Sequence, residues 1–243
     1  MNKQAKIIAL MNNKGGVLKT TIATNLASLL ATNGQKTLII DLDPQANVST
    51  SFGINPNEFK TTISEVLINN IDISQAIQSQ IINNLDLCPT NDKLSQFVEK
   101  TYSELKTNQK VKLNVLQQVL QKVLLQYDYI IIDSSPNLDL LTKNIIVASD
   151  EILIPVQMEV LAARGLINLI NEINSLNGNI KAIIPTLFDE RTIIHQDILK
   201  QINNIAKEAN IFVTKTKITK SIKAANATAY HRVPLVLTTC EGK

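Results

Sequence analysis

The chain has 243 residues, of which 44% are hydrophobic, 19% charged and 4% aromatic, with no Trp. This composition argues against a disordered chain and against a protein that reads single strands by aromatic stacking. The formal net charge is +3, so any contact with nucleic acid must come from a local cluster of basic residues. Cys88 and Cys240 form no CxxC pair, so neither a disulfide framework nor a zinc site is indicated, and a cytoplasmic compartment is expected.

Short apolar runs, rich in Ile and Val, recur along the chain. Runs that are apolar at nearly every position are typical of strands buried on both faces of a parallel sheet. The predicted strands are Ile7 to Met11, Thr37 to Ile40, Asp128 to Ile132, Glu151 to Val156, Ile180 to Ile184 and Ile211 to Thr214.

Apolar stripes at helical spacing lie between these runs. One stripe comprises Ile22, Leu26, Leu29 and Leu30 and ends before Asn33-Gly34, and others span Val115 to Leu124 and Ile167 to Ile173. The alternation predicts an α/β fold, a doubly wound, mostly parallel sheet with helices on both faces.

No repeat, Pro/Gly/Ser linker or long charge block divides the chain, so we expect a single domain over residues 1–243. The polar segment from Asn55 to about Lys110 predicts short helices and one strand, Leu85 to Cys88, at the sheet edge. No apolar stretch approaches the ~18 residues of a membrane-spanning helix.

The segment Asn12 to Thr21 follows the first predicted strand and reads NNKGGVLKTT. A strand that ends in a glycine turn and opens into a helix directs backbone N–H groups and the positive end of the helix dipole at one point, where a phosphate can bind. Lys19 adds a positive charge, and Thr20 is placed to ligate Mg²⁺, as in a Walker A loop. The strict pattern GxxxxGK[ST] is not met, because Asn13 and Leu18 stand at its two glycine positions.

Three motifs in order resemble the deviant Walker A, Walker A′ and Walker B motifs of the ParA/MinD-type P-loop ATPases. They are KGGVLKTT at Lys14 to Thr21, DLDPQ at Asp41 to Gln45 and YIIID at Tyr129 to Asp133. The resemblance covers essentially the whole chain and favours the ParA (Soj) branch. It continues through Leu153 to Val156, Leu166, Phe188 to Arg191 and Val233-Pro234.

The resemblance implies catalytic roles for Lys14, Lys19 and Asp43. Lys14 would be the signature lysine that reaches the phosphates of the partner subunit's nucleotide across a sandwich dimer. Lys19 would contact the phosphates of its own subunit, and Asp43 would orient the attacking water. Thr20 would hold Mg²⁺ directly, with Asp133 and Asp41 acting through water.

The resemblance also implies a set of residues that line ATP. Those around the phosphates are Asn12, Lys14, Gly15, Gly16, Val17, Leu18, Lys19, Thr20 and Thr21. The purine would lie between Pro185 to Asp189 and Thr219 to Lys223, with Pro185 and Thr186 as its predicted contacts.

Leu18 departs from the family pattern, which has glycine where the backbone crowds the phosphate. If this position needs a positive φ, a leucine would be strained by of order 1 kcal/mol or more. We expect the loop to keep helical φ and ψ at Leu18 and ATP still to bind.

A basic cluster near the end of the chain comprises Lys215, Lys217, Lys220 and Lys223, with Arg232 nearby. Such a cluster is often only a solvated face, but the resemblance implies a DNA-binding surface. Binding there should contact phosphates, be independent of sequence and weaken steeply with salt.

The resemblance implies an ATP-dependent switch for partition of a chromosome or plasmid. Mg-ATP would close a homodimer, the dimer would coat double-stranded DNA of the nucleoid non-specifically, and a ParB-type partner would trigger slow hydrolysis. A MinD-like ATPase on a membrane is a competing interpretation, although Leu235 to Lys243 is short for an amphipathic helix, and no membrane partner is expected. A cargo-positioning relative, an electron-transfer ATPase and a non-catalytic nucleotide-binding repressor are also compatible with a nucleotide-binding loop.

Overall fold

The computed structural model describes residues 4–97, 99, 113–137, 140–221 and 230–238. An eight-stranded sheet in the order β3-β4-β2-β5-β1-β6-β7-β8 forms its centre. All neighbouring strands are parallel except β3 and β4, which are antiparallel. The strands are β1 (Lys6–Leu10), β2 (Thr37–Leu42), β3 (Gln78–Ile82), β4 (Leu85–Cys88), β5 (Tyr129–Ser134), β6 (Glu151–Gln157), β7 (Ile180–Phe188) and β8 (Ile218–Thr219).

Helices cover both faces of the sheet, which confirms the predicted fold class. They are α1 (Lys19–Thr32), α2 (Asn47–Ser51), α3 (Ile63–Asn69), α4 (Val115–Gln121), α5 (Leu140–Ala148), α6 (Ala162–Ser175), α7 (Ile193–Glu208) and α8 (Leu235–Thr238). One apolar cluster joins the sheet to α1 and α2, and a second joins it to α3 through α7. No helix in the described part of the chain is long and apolar enough to cross a membrane.

The face of α1 that packs on the sheet consists of small residues. Ala23, Ala27 and Ala31 are buried there against Ile39 and Ile131. Small side chains let the helix axis approach the strands closely, which fixes the start of α1 against the carboxyl ends of β1 and β5. The predicted Ile and Leu stripe lies on another face of the same helix, where Leu29 is 47% exposed.

Two predicted strands differ from the structure. Ile211 to Thr214 forms only an isolated bridge, between Ile183 and Val213, and the described chain joins the sheet again at β8. Leu85 to Cys88 is a strand, but β3 lies outside it and takes the edge position. The hydrogen bond from the Gln80 N–H to Asp86 Oδ1 (2.7 Å) accompanies an irregular register between β3 and β4.

Cys88 is fully buried, and burial raises the pKa of its thiol. A thiol that stays protonated in the core is inert as a nucleophile or metal ligand. Cys240 and Lys110 lie outside the described residues.

Candidate nucleotide-binding site

The loop after β1 is fixed at both ends. The Asn12 side chain donates from Nδ2 to the Pro155 carbonyl (2.6 Å) and accepts the Lys14 N–H at Oδ1 (3.0 Å). At the other end, the Leu18 carbonyl accepts the Ile22 N–H (2.9 Å) and so begins α1. Since both ends of its amide are engaged, Asn12 positions the loop, and its phosphate contact stays a prediction.

The glycines of the loop open onto a cavity of about 480 Å³. A Cβ atom at Gly15 or Gly16 would meet nothing within 4 Å, and Gly16 has a φ of +76°. Backbone N–H groups at the start of a helix attract anions, so this space suits a phosphate chain. The predicted contacts Gly15, Gly16, Leu18, Lys19, Thr20 and Thr21 line it, whereas Val17 is buried beneath the loop.

Lys19 is a buried cation at the edge of this phosphate cavity. Its Nζ donates to the Lys14 carbonyl (2.9 Å), and only 7% of the residue is exposed. Burial lowers the pKa of Lys19, while the charges of Asp133 and Asp43 act in the opposite direction. The cation is therefore desolvated and held in place, which strengthens its attraction for a phosphate.

Thr20 and Asp133 form a hydrogen-bonded pair in which one carboxylate oxygen has no partner among the described residues. The Thr20 hydroxyl donates to Asp133 Oδ2 (2.6 Å), and Asp133 Oδ1 is buried without a hydrogen-bond partner among the described residues. Burial raises the pKa of Asp133 to about 7, against the effects of the Thr20 hydrogen bond and the Lys19 charge. A hydroxyl beside an unpaired carboxylate oxygen fits Mg²⁺, which prefers oxygen ligands.

Asp41 lies beside Asp133, because β2 and β5 pair these two residues in register. Its Oδ1 accepts the Asp43 N–H and its Oδ2 accepts the Val48 N–H, both at 3.0 Å. Burial and the charge of Asp133 raise the pKa of Asp41 well above its ordinary value. Each oxygen of Asp41 accepts one backbone N–H, so Asp41 anchors the turn that carries Asp43, and its role at Mg²⁺ through water stays a prediction.

Asp43 lines the phosphate cavity, and its Oδ1 accepts the Gln45 N–H (3.0 Å). The other residues on this wall were not predicted from the sequence. Most of these residues lie in or shortly after the DLDPQ motif, which is the only feature of the sequence that could have indicated them. No feature of the sequence indicated Pro136. These other wall residues are Gln45, Asn47, Thr50, Ser51 and Pro136.

A second, apolar cavity of about 810 Å³ adjoins the first. Leu18 and Thr21 line both cavities. The two predicted purine segments do meet at this second cavity, but Pro185 and Thr186 are buried within β7 and do not line it. Its further lining residues are Ile22, Asn25, Leu26, Leu29, Leu187, Lys217, Ile218, Thr219, Lys220, Ser221, Leu235 and Val236.

Leu18 does not have the helical backbone that the sequence analysis expected. It has a φ of 73° and a ψ of 26°, in the left-handed region. The chain turns through this conformation to pass from the glycine turn into the first turn of α1. For a residue with a Cβ atom, the left-handed conformation costs about 1–2 kcal/mol.

Lys14 points away from the phosphate cavity of its own chain. Its Nζ pairs with the Glu159 carboxylate, and both side chains are 45% exposed. The pair lies at a groove of about 720 Å³ that also includes Val160, Leu161 and Ile194. This orientation suits contact with a second molecule better than contact with a ligand bound beside Lys19.

The lysines of the predicted basic cluster differ in their exposure. Lys215 and Lys220 are exposed, as DNA contact requires. Lys217 is half-buried, with its Nζ 4.7 Å from the centre of the Phe188 ring and 3.9 Å from Glu190 Oε1. Lys223 lies outside the described residues.

A family model described as an AAA domain matches residues 5–186. The chain is 32% identical over 239 residues to the sporulation initiation inhibitor protein Soj of Bacillus subtilis, covering 96% of this chain and 90% of that protein. It is 36% identical over 210 residues to the chromosome partitioning protein ParA of Myxococcus xanthus, covering 84% and 72%. The chain belongs to the ParA family of ATPases.

Solved structures share the fold of this ParA-family chain. The structure of apo McdA from Cyanothece superposes with a TM-score of 0.86 at 25% identity, covering 97% of this chain and 93% of that one. Cobyrinic acid a,c-diamide synthase from Mycobacterium smegmatis, solved with a bound ATP analogue and magnesium, gives a TM-score of 0.78 at 28% identity, covering 93% and 91%.

The raised pKa of Asp133 makes stability of this ParA-family protein depend on pH. The folded state retains a proton up to about pH 7, whereas an unfolded Asp releases it near 3.8, so stability falls as pH rises through this window. We expect Asp133→Asn to raise the free energy of unfolding at pH 8 by roughly 1–3 kcal/mol, with the gain vanishing near pH 4. Urea denaturation without Mg²⁺ measures it.

Asp92→Asn is the matched control, because Asp92 is exposed and the same change there should leave the pH profile as it is. An Asp133→Asn protein that is less stable than the unmodified chain at pH 8 would contradict the assignment of an uncompensated buried carboxylate.

Proposed function

We propose that this chain is a Mg²⁺-dependent ATPase, a single P-loop domain over residues 1–243, which acts as a switch in DNA partition. The observation that carries the proposal is the convergence of Lys19, Thr20 and Asp133 at an open glycine turn. ATP and Mg²⁺ are the ligands that this donor set fits. The named relatives Soj and ParA support partition as the process.

The proposed hydrolysis assigns a distinct task to each residue at the cavity. Lys19 would bind a phosphate oxygen, and Thr20 with Asp133 would hold Mg²⁺, which would supply positive charge beside the phosphates. Asp43, which lines the same cavity, would orient the attacking water. Positioning and charge neutralisation supply most of the catalysis in phosphoryl transfer, and this site offers both.

The glycine turn gives a test of where the phosphates bind. Gly16→Ala places a Cβ atom in the phosphate cavity and strains a left-handed residue, which costs about 1–2 kcal/mol. Gly34→Ala is the matched control, since Gly34 has a φ of +81° and a Cβ there also meets nothing within 4 Å. We expect both variants to lose similar stability in thermal unfolding and only Gly16→Ala to lose affinity for ATP in calorimetry. Equal ATP affinity in the two variants would contradict the placement.

The proposed active form is a homodimer. Exposed apolar side chains line the groove together with Lys14 and Glu159: Val160 is 72% exposed, Leu161 75% and Ile194 49%. A second copy would cover this apolar surface, and Lys14 would exchange the Glu159 carboxylate for a phosphate of the partner's nucleotide. The dimer would then form only with nucleotide bound.

Leu161→Asp tests this interface by adding charge to the surface that dimerisation would bury. We expect the variant to bind ATP normally and to remain a monomer in Mg-ATP, as measured by sedimentation velocity. Leu125→Asp is the control, because Leu125 is 63% exposed at a position far from Lys14 in the sequence and outside the groove. Full ATP-dependent dimerisation of Leu161→Asp would contradict the assigned interface.

DNA binding by the ATP-bound dimer is the third part of the proposal. Lys215 and Lys220 flank β8 and are exposed, so they are available for phosphate contacts. Binding through phosphates is independent of sequence and releases counterions, and therefore weakens with salt. A ParB-type partner would stimulate hydrolysis and release the dimer from the nucleoid.

Anisotropy of a random-sequence duplex, titrated in Mg-ATP and Mg-ADP at two salt concentrations, tests this step. We expect salt-sensitive binding in Mg-ATP only, and loss of about tenfold or more in DNA affinity for Lys215→Glu with Lys220→Glu at saturating Mg-ATP. Since Lys220 also lines the apolar cavity, the ATP affinity of this variant is measured in parallel to separate the two effects. Lys200→Glu with Lys207→Glu on α7 makes the same change in net charge and serves as the control.

Unchanged DNA affinity in the Lys215→Glu, Lys220→Glu protein would refute the surface. Absence of DNA binding in both nucleotide states would refute partition by DNA coating. A membrane surface and a protein cargo would then be tested with anionic vesicles and with protein partners.

A further inference from the structure

Leu18 stands at the boundary between the two cavities. The phosphate cavity lies on the side of Gly15, Gly16 and Lys19, and the apolar cavity lies on the side of Ile22 and Leu26. Leu18 and Thr21 line both. A ligand that fills the two cavities together must therefore pass beside the Leu18 side chain.

The shape of the combined space matches a nucleoside phosphate. Such a ligand has a charged end for the glycine turn, an aromatic base for an apolar cavity and a sugar between them. Leu187, Ile218 and Val236 supply apolar surface opposite α1. The residue at the boundary would contact the sugar and the adjoining edge of the base.

The backbone at Leu18 disfavours leucine. Its φ of 73° lies in the left-handed region, where glycine is unstrained but a residue with a Cβ atom is strained. The stability of the loop alone would favour glycine at this position. Strained residues persist at sites where the strained group has a function, and here the side chain adds apolar surface to the cavity wall.

We infer that Leu18 is a specificity-determining residue of the nucleotide site. Its side chain packs against the sugar and base, so that it favours nucleoside phosphates over inorganic polyphosphate. The inference rests on the proposed placement of the phosphates beside Lys19. The inferred contact comes from Leu18, one of the two positions at which this loop departs from the Walker A pattern.

Competition against a fluorescent ATP analogue, with ATP, ADP and inorganic tripolyphosphate as competitors, tests the inference on the full chain. Leu18→Ala keeps a Cβ atom in the strained conformation and removes the rest of the side chain. We expect it to weaken ATP and ADP about tenfold and to leave tripolyphosphate within about twofold. Leu18→Met restores the apolar contact and should retain nucleotide affinity.

Leu18→Gly separates the contact from the strain. Glycine relieves the left-handed conformation, so we expect this variant to unfold at the same temperature as the unmodified chain or higher, yet to lose nucleotide affinity as Leu18→Ala does. A residue that only shapes the loop would give the opposite result, with ATP affinity retained or increased. Leu125→Ala, the same truncation at an exposed position, should change neither ligand.

Two outcomes would overturn the inference while leaving the proposed site intact. If Leu18→Ala weakens the binding of ATP and of tripolyphosphate equally, Leu18 supports only the phosphate loop. If it weakens the binding of neither, Leu18 does not contact the nucleotide. Lys19→Ala distinguishes a failure of the site itself, because it must weaken both competitors. If Lys19→Ala weakens the binding of neither competitor, the phosphates bind elsewhere. Both the proposed phosphate site and the inference about Leu18 are then wrong.

Discussion

The buried pair of carboxylates at the centre of the sheet is the constraint on which the site depends. The parallel register of β2 and β5 places Asp41 directly beside Asp133, and both are fully buried. Burial raises both pKa values, because a charged carboxylate loses solvation in a low dielectric; the charge of Asp133 raises the pKa of Asp41 further, and the charge of Asp43 raises that of Asp133. Backbone N–H groups of the following turn offset this effect only partly at Asp41, and Lys19 and Thr20 offset it only partly at Asp133, where one oxygen has no hydrogen-bond partner among the described residues. The remaining imbalance at Asp133 is what a bound cation would remove.

Two residues with a Cβ atom and a left-handed backbone lie at this site. Leu18 lines the phosphate cavity and Ala46 lies between its lining residues Gln45 and Asn47, and both have positive φ values. The surrounding framework holds these conformations: the alanine face of α1 packs closely on the sheet, and Asp41 binds the turn before Val48. Rigid elements thus position a loop whose own conformation is unfavourable, as is common at ligand sites.

Much of the fold could be predicted from hydrophobic pattern, because strands buried on both faces and helices of regular period leave a local signal. Local signal fails where tertiary context decides. Ile211 to Thr214 is as apolar as a strand, yet it makes one bridge. On α1, Ile22, Leu26 and Leu30 of the predicted stripe are only partly buried against the core, and Leu29 lines the apolar cavity, because the alanines give the closer fit to the sheet. Sequence likewise could not show that Asp41 anchors the following turn, because its hydrogen bond to the Val48 N–H depends on how the chain folds back.

The position of the two loop lysines links the site to a switch. Lys19 is buried and turned toward its own phosphate cavity, whereas Lys14, five residues earlier, is exposed and paired with Glu159. An exposed ion pair contributes little to stability, so Lys14 can exchange Glu159 for another anion at small cost. A switch requires a ligand that interacts differently with its two states. In the proposed dimer, a nucleotide held by Lys19 of one subunit supplies that anion to Lys14 of the other, and the apolar surface beside Glu159 is covered in the same step.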